Sequence, residues 1–150
     1  MRDFAHSNAG LTGAILAGGR SSRMGYNKAL LRIGGKTIIE RVLNPLKEVT
    51  DSFLIVTNSP EEYTFLNVPM TPDILPGKGA FGGLYTALLF SNTPHTLVVA
   101  CDMPFLNSNV LRYMEQLKTG YDIVTPKHGT TYEPLCAIYA KTCIPTIEIC

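Results

Sequence analysis

Three short, almost unbroken apolar runs limit what this chain can become more than any other feature: Ala14-Ile15-Leu16-Ala17, Phe53-Leu54-Ile55-Val56-Thr57 and Thr96-Leu97-Val98-Val99-Ala100. Runs of this kind, rich in Ile and Val and ending at Gly, Asn or Asp, read as strands buried on both faces, which is how parallel sheets are built. Helical patterns lie between them. Thr37 can cap a helix running to Val49, with Ile38, Ile39, Val42, Leu43 and Leu46 on one face and Pro45 bending it or ending it early. Pro60-Glu61-Glu62 reads as a first helical turn. The four glycines of Leu75 to Leu84 read as a second loop that comes close to a ligand, followed by a helix to Phe90, and another helix spans Ser108 to Lys118, with Val110, Leu111, Met114 and Leu117 at helical spacing. Val68 to Thr71, Ile123-Val124-Thr125 and Cys136 to Tyr139 read as short strands. The alternation predicts a doubly wound α/β domain, a mostly parallel sheet with helices on both faces.

At 150 residues, with 45% hydrophobic and 17% charged residues, the chain suits one folded domain and excludes a disordered one. Residues 1–150 are expected to form that single domain, with 1–10 a flexible N-terminal segment. A net charge of +1 exerts no general pull towards nucleic acid or a membrane surface. Met1 to Gly10 carries Arg2, Asp3, His6 and Asn8 and no apolar core, so it does not read as a signal peptide, and no window approaches the roughly 18 apolar residues of a membrane span. A cytoplasmic location is the expectation. Cys101, Cys136, Cys143 and Cys150 form no C-x-x-C pair and read as free thiols.

The chemistry concentrates after the first strand. Gly18-Gly19-Arg20-Ser21-Ser22-Arg23-Met24-Gly25-Tyr26-Asn27-Lys28 sits where open α/β sheets bind ligands, at the carboxyl end of a strand. Its glycines let the backbone approach a ligand and present N–H groups. Arg20, Arg23 and Lys28 add positive charge, and no carboxylate occurs between Gly18 and Lys36. A polyanion such as a nucleoside triphosphate is the ligand such a loop suits. The dinucleotide pattern G-x-G-x-x-G is absent. The P-loop pattern fails at Leu30, which leaves Gly34-Gly35 as a turn before the helix.

Asp102 follows a buried strand directly and precedes Pro104. Such a carboxylate can hold Mg²⁺ together with substrate phosphates, or it can cap a turn. Asp73 can accept the N1–H and 2-amino donors that guanine presents side by side and cytosine does not, or it can serve the turn before Pro76-Gly77. His6, His95 and His128 stand in loops without a second ligand, and no G-x-S-x-G elbow is present. Tyr132-Glu133-Pro134-Leu135 can close over a substrate or join two strands, and its own residues favour the joining role.

Taken together, Leu16-Ala17-Gly18-Gly19-x-x-x-Arg23-Met24-Gly25 with Lys28, Asp73 before a glycine-rich helix start, Cys101-Asp102-x-Pro104, and Glu133-Pro134-Leu135 before Tyr139 resemble the molybdopterin nucleotidyltransferases, the molybdenum cofactor guanylyltransferases above all. The resemblance implies a Rossmann-like nucleotidyltransferase fold. The implied reaction transfers GMP from GTP to the terminal phosphate of molybdopterin, with Mg²⁺ and release of pyrophosphate. It implies that Leu16, Ala17 and Gly18, with Gly19 beside them, contact the nucleotide through their backbone, Lys28 the phosphates, Asn58 and Asp73 the nucleoside, and that Asp102 holds the metal. Arg23 as a clamp on the triphosphate is a physical reading of its charge. Molybdoenzyme chaperones or other cofactor-biosynthesis proteins are the protein partners it implies. The chain departs from the usual pattern at Asn27, where relatives carry Asp, and it resembles members that continue beyond a point equivalent to Cys150, so a truncated acceptor site is expected. The competing readings are a cytidylyltransferase, a sugar-phosphate nucleotidyltransferase, or a nucleotide-binding domain without catalysis.

Overall fold

The computed structural model describes residues 10–18 and 26–150. β1 (Leu11–Leu16) opens the fold, and a 3-10 turn (Lys28–Leu30) leads into a hairpin of β2 (Arg32–Ile33) and β3 (Lys36–Thr37) turned by Gly34-Gly35. α1 (Ile38–Lys47) and β4 (Ser52–Val56) follow, then 3-10 turns at Pro60–Glu62 and Thr64–Leu66, β5 (Met70–Thr71), α2 (Ala80–Phe90) and β6 (His95–Ala100). The remainder is α3 (Ser108–Leu117), β7 (Ile123–Val124), the hairpin β8 (Lys127–His128) and β9 (Thr131–Tyr132), β10 (Cys136–Ala140) and a short α4 (Ile144–Ile149).

Six strands form the main sheet in the order β5-β4-β1-β6-β10-β7. β5, β4, β1 and β6 run parallel, with Ala14 level with Leu54 on one side and Val98 on the other, and β10 runs antiparallel to both its neighbours. Successive side chains leave opposite faces of a strand, so each buried strand feeds two cores. Leu11 and Ile15, Leu97 and Val99, Cys136 and Ile138 pack with Ile39, Val42, Leu43 and Leu46 of α1 and Leu111 and Met114 of α3. Ala14, Leu16, Val98, Ala137 and Tyr139 pack with Ala87 and Leu88 of α2 and Ile147 of α4. The doubly wound, mostly parallel sheet predicted by the apolar runs is the observed architecture. Among the described residues no helix is long and apolar enough to cross a membrane.

Several boundaries differ from expectation, each for a local reason. β1 reaches back to Leu11 because Thr12, only 2% exposed, shares a 2.7 Å hydrogen bond with the Thr93 hydroxyl, which makes a polar residue tolerable inside the sheet. α1 stops at Lys47, short of Val49. Pro45 lies in its last turn, and the Glu48 and Val49 N–H groups turn back to Pro45 and Leu46 carbonyls at 3.2 and 3.0 Å. Pro60–Glu62 remains a single 3-10 turn. α2 begins at Ala80, inside the stretch read as loop, so Gly82 and Gly83 are helical. The β8–β9 hairpin and α4 are not legible as periodic segments. The antiparallel insertion of β10 between β6 and β7 has no signature in its own residues.

Along the chain the sheet grows from β1 outward to β4 and β5, then returns to place β6 on the opposite side of β1. The carboxyl ends of β1 and β6 therefore flank the topological switch point, where the loops part and leave a crevice.

Candidate active site

A cleft of about 420 Å³ opens at that switch point, a size within the ordinary range for small-molecule sites. Leu16 and Gly18 from the end of β1, Asn58 past β4, Asp73 past β5, Gly79, Ala80 and Gly83 at the start of α2, and Cys101 and Asp102 at the end of β6 line it. Four separate strand ends thus deliver their residues to one crevice. Among the described lining residues Asp73 and Asp102 are the only charged side chains.

The β1 end is held from both sides. The Cys101 N–H donates to the Leu16 carbonyl at 3.2 Å, and the Ala17 N–H donates to the Val56 carbonyl at 2.8 Å. These backbone groups belong to the sheet, so Leu16 meets the cleft with its side chain. Ala17 turns into the core on the α1 side and is not among the cleft residues. Gly18 is exposed at the cleft. Lys28 is exposed on its 3-10 turn outside the cleft wall. Gly19 and Arg23 lie outside the described residues.

Asp73 is fixed at two points. Its N–H donates to Asn58 Oδ1 at 3.0 Å and its Oδ1 accepts from the Leu75 N–H at 2.8 Å, while the Thr86 hydroxyl, 3.4 Å from the same oxygen, donates to the Gly82 carbonyl at 2.8 Å. Thr86 is fully buried in α2 and also accepts from the Ile74 N–H at 3.0 Å. The turn role and the cleft position that the residue suggested as alternatives are therefore combined in one side chain. Gly82 makes this possible, because a Cβ there would stand 2.4 Å from the Leu75 carbonyl oxygen and 2.9 and 3.1 Å from the Asp73 carboxylate oxygens.

The glycine-rich stretch Leu75 to Leu84 is a loop only up to Gly79, and from Ala80 on it is the first turn of α2. Gly79, with φ of +62°, precedes it and supplies no side-chain cap, and the first turn holds no acidic residue. The leading N–H groups of a helix lack intrahelical acceptors and carry partial positive charge, so this uncapped end presents donors to whatever occupies the cleft. The signal available in the sequence was Gly77-Lys78-Gly79 followed by Ala80-Phe81-Gly82-Gly83, a pattern that a helix start and a flexible loop share.

Asp102 stands exposed past β6. Burial, and then the Asp102 charge, push the neighbouring Cys101 thiol up to about 11, so it is a protonated wall residue and not a nucleophile. Among the described residues no cluster of three or more His, Cys, Asp or Glu side chains forms a ready metal cage. The Tyr139 hydroxyl donates to the Pro134 carbonyl at 2.7 Å and the Ala100 N–H to the Leu135 carbonyl at 3.1 Å. Glu133-Pro134-Leu135 accordingly joins the β8–β9 hairpin to β10, as expected, and Leu135 closes one side of the cleft. All four cysteines are free thiols.

Residues 13–150 match the model of the MobA-like NTP transferase domain. The chain is 44% identical over 137 residues to a probable molybdenum cofactor guanylyltransferase of Pelotomaculum thermopropionicum, covering 91% of this chain and 67% of that protein. It is 43% identical over 136 residues to a probable molybdenum cofactor guanylyltransferase of Clostridium perfringens, covering 90% of this chain and 68% of that protein. Its fold superposes on the crystal structure of molybdopterin-guanine dinucleotide biosynthesis protein A from Archaeoglobus fulgidus with a TM-score of 0.72 at 30% identity, covering 92% of this chain and 71% of that one.

Proposed function

The chain belongs to the MobA-like NTP transferase domain family, and from that premise we propose that it transfers GMP from GTP to the terminal phosphate of molybdopterin, releasing pyrophosphate. The observation that carries this reading is the placement of two carboxylates along one cleft. Asp73 and Asp102 follow β5 and β6, which the strand order separates by β4 and β1. Neighbouring strands lie about 4.8 Å apart, so the two strand ends are on the order of 14 Å from each other, enough to put a nucleoside base at one and its phosphates at the other.

At the base end, Asp73 is held by Asn58 and Leu75 with its Oδ2 free of the turn. Each carboxylate oxygen has two lone pairs, so the group still accepts the paired N1–H and 2-amino donors of guanine. The uncapped start of α2, whose Gly82 stands against Asp73, presents N–H donors to the cleft, and Lys28 and Arg23 supply positive charge for the phosphates. A lone exposed carboxylate such as Asp102 suits Mg²⁺, which keeps several waters and takes much of its coordination from substrate phosphates. Bound there, the ion would offset the charge developing as pyrophosphate departs. An acceptor phosphate oxygen then forms its bond to the α-phosphorus as the bond from that phosphorus to the bridging oxygen breaks.

A second trough of about 400 Å³, lined by Met103, Phe105, Val110 and Cys136 among others, shares Asp102 with the cleft and would give an acceptor room to reach the same carboxylate. A product of this kind passes to molybdoenzyme chaperones or other cofactor-biosynthesis proteins in the cytoplasm.

Thermal melting with each Mg-nucleotide tests the base assignment, because stabilisation grows with ligand concentration over the dissociation constant. Mg-GTP is expected to stabilise more than Mg-CTP, Mg-ATP or Mg-UTP, and a preference for CTP would overturn the guanine reading. Pyrophosphate release with molybdopterin tests transfer. GTP binding without release would leave a nucleotide-binding domain only.

A further inference from the structure

The turn that carries Lys28 is anchored by a side chain outside the cleft. Asn27 uses both ends of its amide. Its Oδ1 accepts from the Ala29 N–H at 2.9 Å, which closes the start of the 3-10 turn. Its Nδ2 donates to Glu62 Oε1 at 3.0 Å and to Tyr63 Oη at 2.6 Å. Tyr63 is 1% exposed, with its ring in the core on the α1 side, so it is a fixed point and not a passenger of the loop. Burial pushes its phenol up, the Asn27 bond opposes that, and the neighbouring Cys101 and Glu62 add to it. Through this one amide the Lys28 turn is tied to the segment after β4.

Building on the reading of Lys28 as a phosphate contact, we infer that Asn27 is a positioning residue that sets where Lys28 leaves its turn, and that Glu62 requires an amide and excludes a carboxylate at this position. Asn and Asp cap a turn about equally well, so the cap alone does not discriminate between them. The reach to Glu62 does. Asp in place of Asn27 keeps the bond from Ala29, and its second oxygen can accept from the Tyr63 hydroxyl, but it sets a second carboxylate against Glu62. The acceptor on Glu62 and the new acceptor at 27 then repel, and the turn shifts with Lys28 on it.

The test is calorimetric titration of the intact chain with Mg-GTP, comparing the parent with Asn27→Asp, Asn27→Asp/Glu62→Gln and Lys28→Ala. Melting without nucleotide reports on folding. Asn27→Asp is expected to weaken Mg-GTP by about tenfold, ~1.4 kcal/mol. Adding Glu62→Gln is expected to restore affinity, because the Gln amide can donate to the new carboxylate. Parent affinity in Asn27→Asp, or no recovery in the double variant, overturns the inference. Should Asn27→Asp fail to fold, Asn27→Ser replaces it: this keeps a short cap without reaching Tyr63, and must weaken Mg-GTP without rescue by Glu62→Gln. An unaffected Lys28→Ala would overturn the reading of the lysine itself, whereas a weakened Lys28→Ala with an unaffected Asn27→Asp removes only the role of Asn27.

Discussion

At Gly82 two residue-level effects of opposite sign can be weighed. Glycine inside a helix costs about 1 kcal/mol relative to alanine, so on propensity alone Gly82→Ala should stabilise α2. Its new methyl group would instead stand 2.4 Å from the Leu75 carbonyl and 2.9 Å from the Asp73 carboxylate. Backbone at that range cannot yield cheaply, and overpacking of this kind costs about 1–3 kcal/mol, which outweighs the gain. Gly82→Ala is therefore expected to lower the melting temperature and to abolish most of the stabilisation by Mg-GTP. A variant that melts higher and responds to GTP as before would show that Asp73 need not sit where it does. Asp73 was legible as a candidate from its place before a glycine-rich stretch. That Gly82 is the residue making room for it was not, because the two meet only when the loop folds back on the helix.

At the scale of elements, two helices that serve different ends are also finished differently. α1 carries its own cap: Thr37 Oγ1 accepts from the Glu40 N–H at 3.2 Å, and the Thr37 N–H donates to Glu40 Oε1 at 2.8 Å. α2 has Gly79 and no side-chain cap. A structural helix satisfies its leading N–H groups locally, and one that leaves them open at a cleft keeps them for a ligand. Thr37→Ala is expected to cost about 1 kcal/mol of unfolding free energy, read from a lowered denaturant midpoint at unchanged slope. Its acid behaviour should change too. The bonds from the Thr37 backbone and then its hydroxyl hold the Glu40 carboxyl below its usual range. A lowered folded pKa contributes stability above the unfolded value and loses it as pH falls through the folded one, so without the hydroxyl the loss on acidification should be shallower. Thr37 as a cap was readable from T-x-x-E before an apolar stripe. The residue at which α2 starts within its glycine-rich stretch was not, since Gly-rich loops and glycine-containing helix starts look alike in sequence.

For the whole molecule, the two-sided burial of the sheet governs its thiols. Cys136 on β10 is pushed up to about 11 by burial and then by Glu133, and Cys101 to about 11 by burial and then by Asp102. For a group whose folded pKa is raised, stability is fully present below the unfolded value, near 9 for these thiols, and is lost as pH rises through the folded one. Free energies of unfolding are accordingly expected to fall across that alkaline window, and a Cys136→Ala chain should show a weaker decline. At mildly alkaline pH, Cys150, exposed at the end of α4, is expected to react first with a thiol reagent, with Cys101 and Cys136 slow until the chain unfolds. Labelling of Cys136 as fast as Cys150 in the folded state would contradict the burial on which the argument rests.

What the amino-acid order determined by itself was whatever depends on neighbours in sequence: the apolar runs that must be buried on both faces, the Thr37 cap, the turn at Gly34-Gly35, and the residue types clustered at strand ends. Tertiary structure decided everything that depends on meeting at a distance. It chose the side of β1 on which β6 pairs, and so where the cleft opens. It set β10 antiparallel between β6 and β7. It joined Asp73 to Gly82, and Asn27 to Tyr63. Periodicity reports only how a segment divides itself between oil and water, and hydrogen bonds and close contacts between remote segments come into being when the sheet assembles.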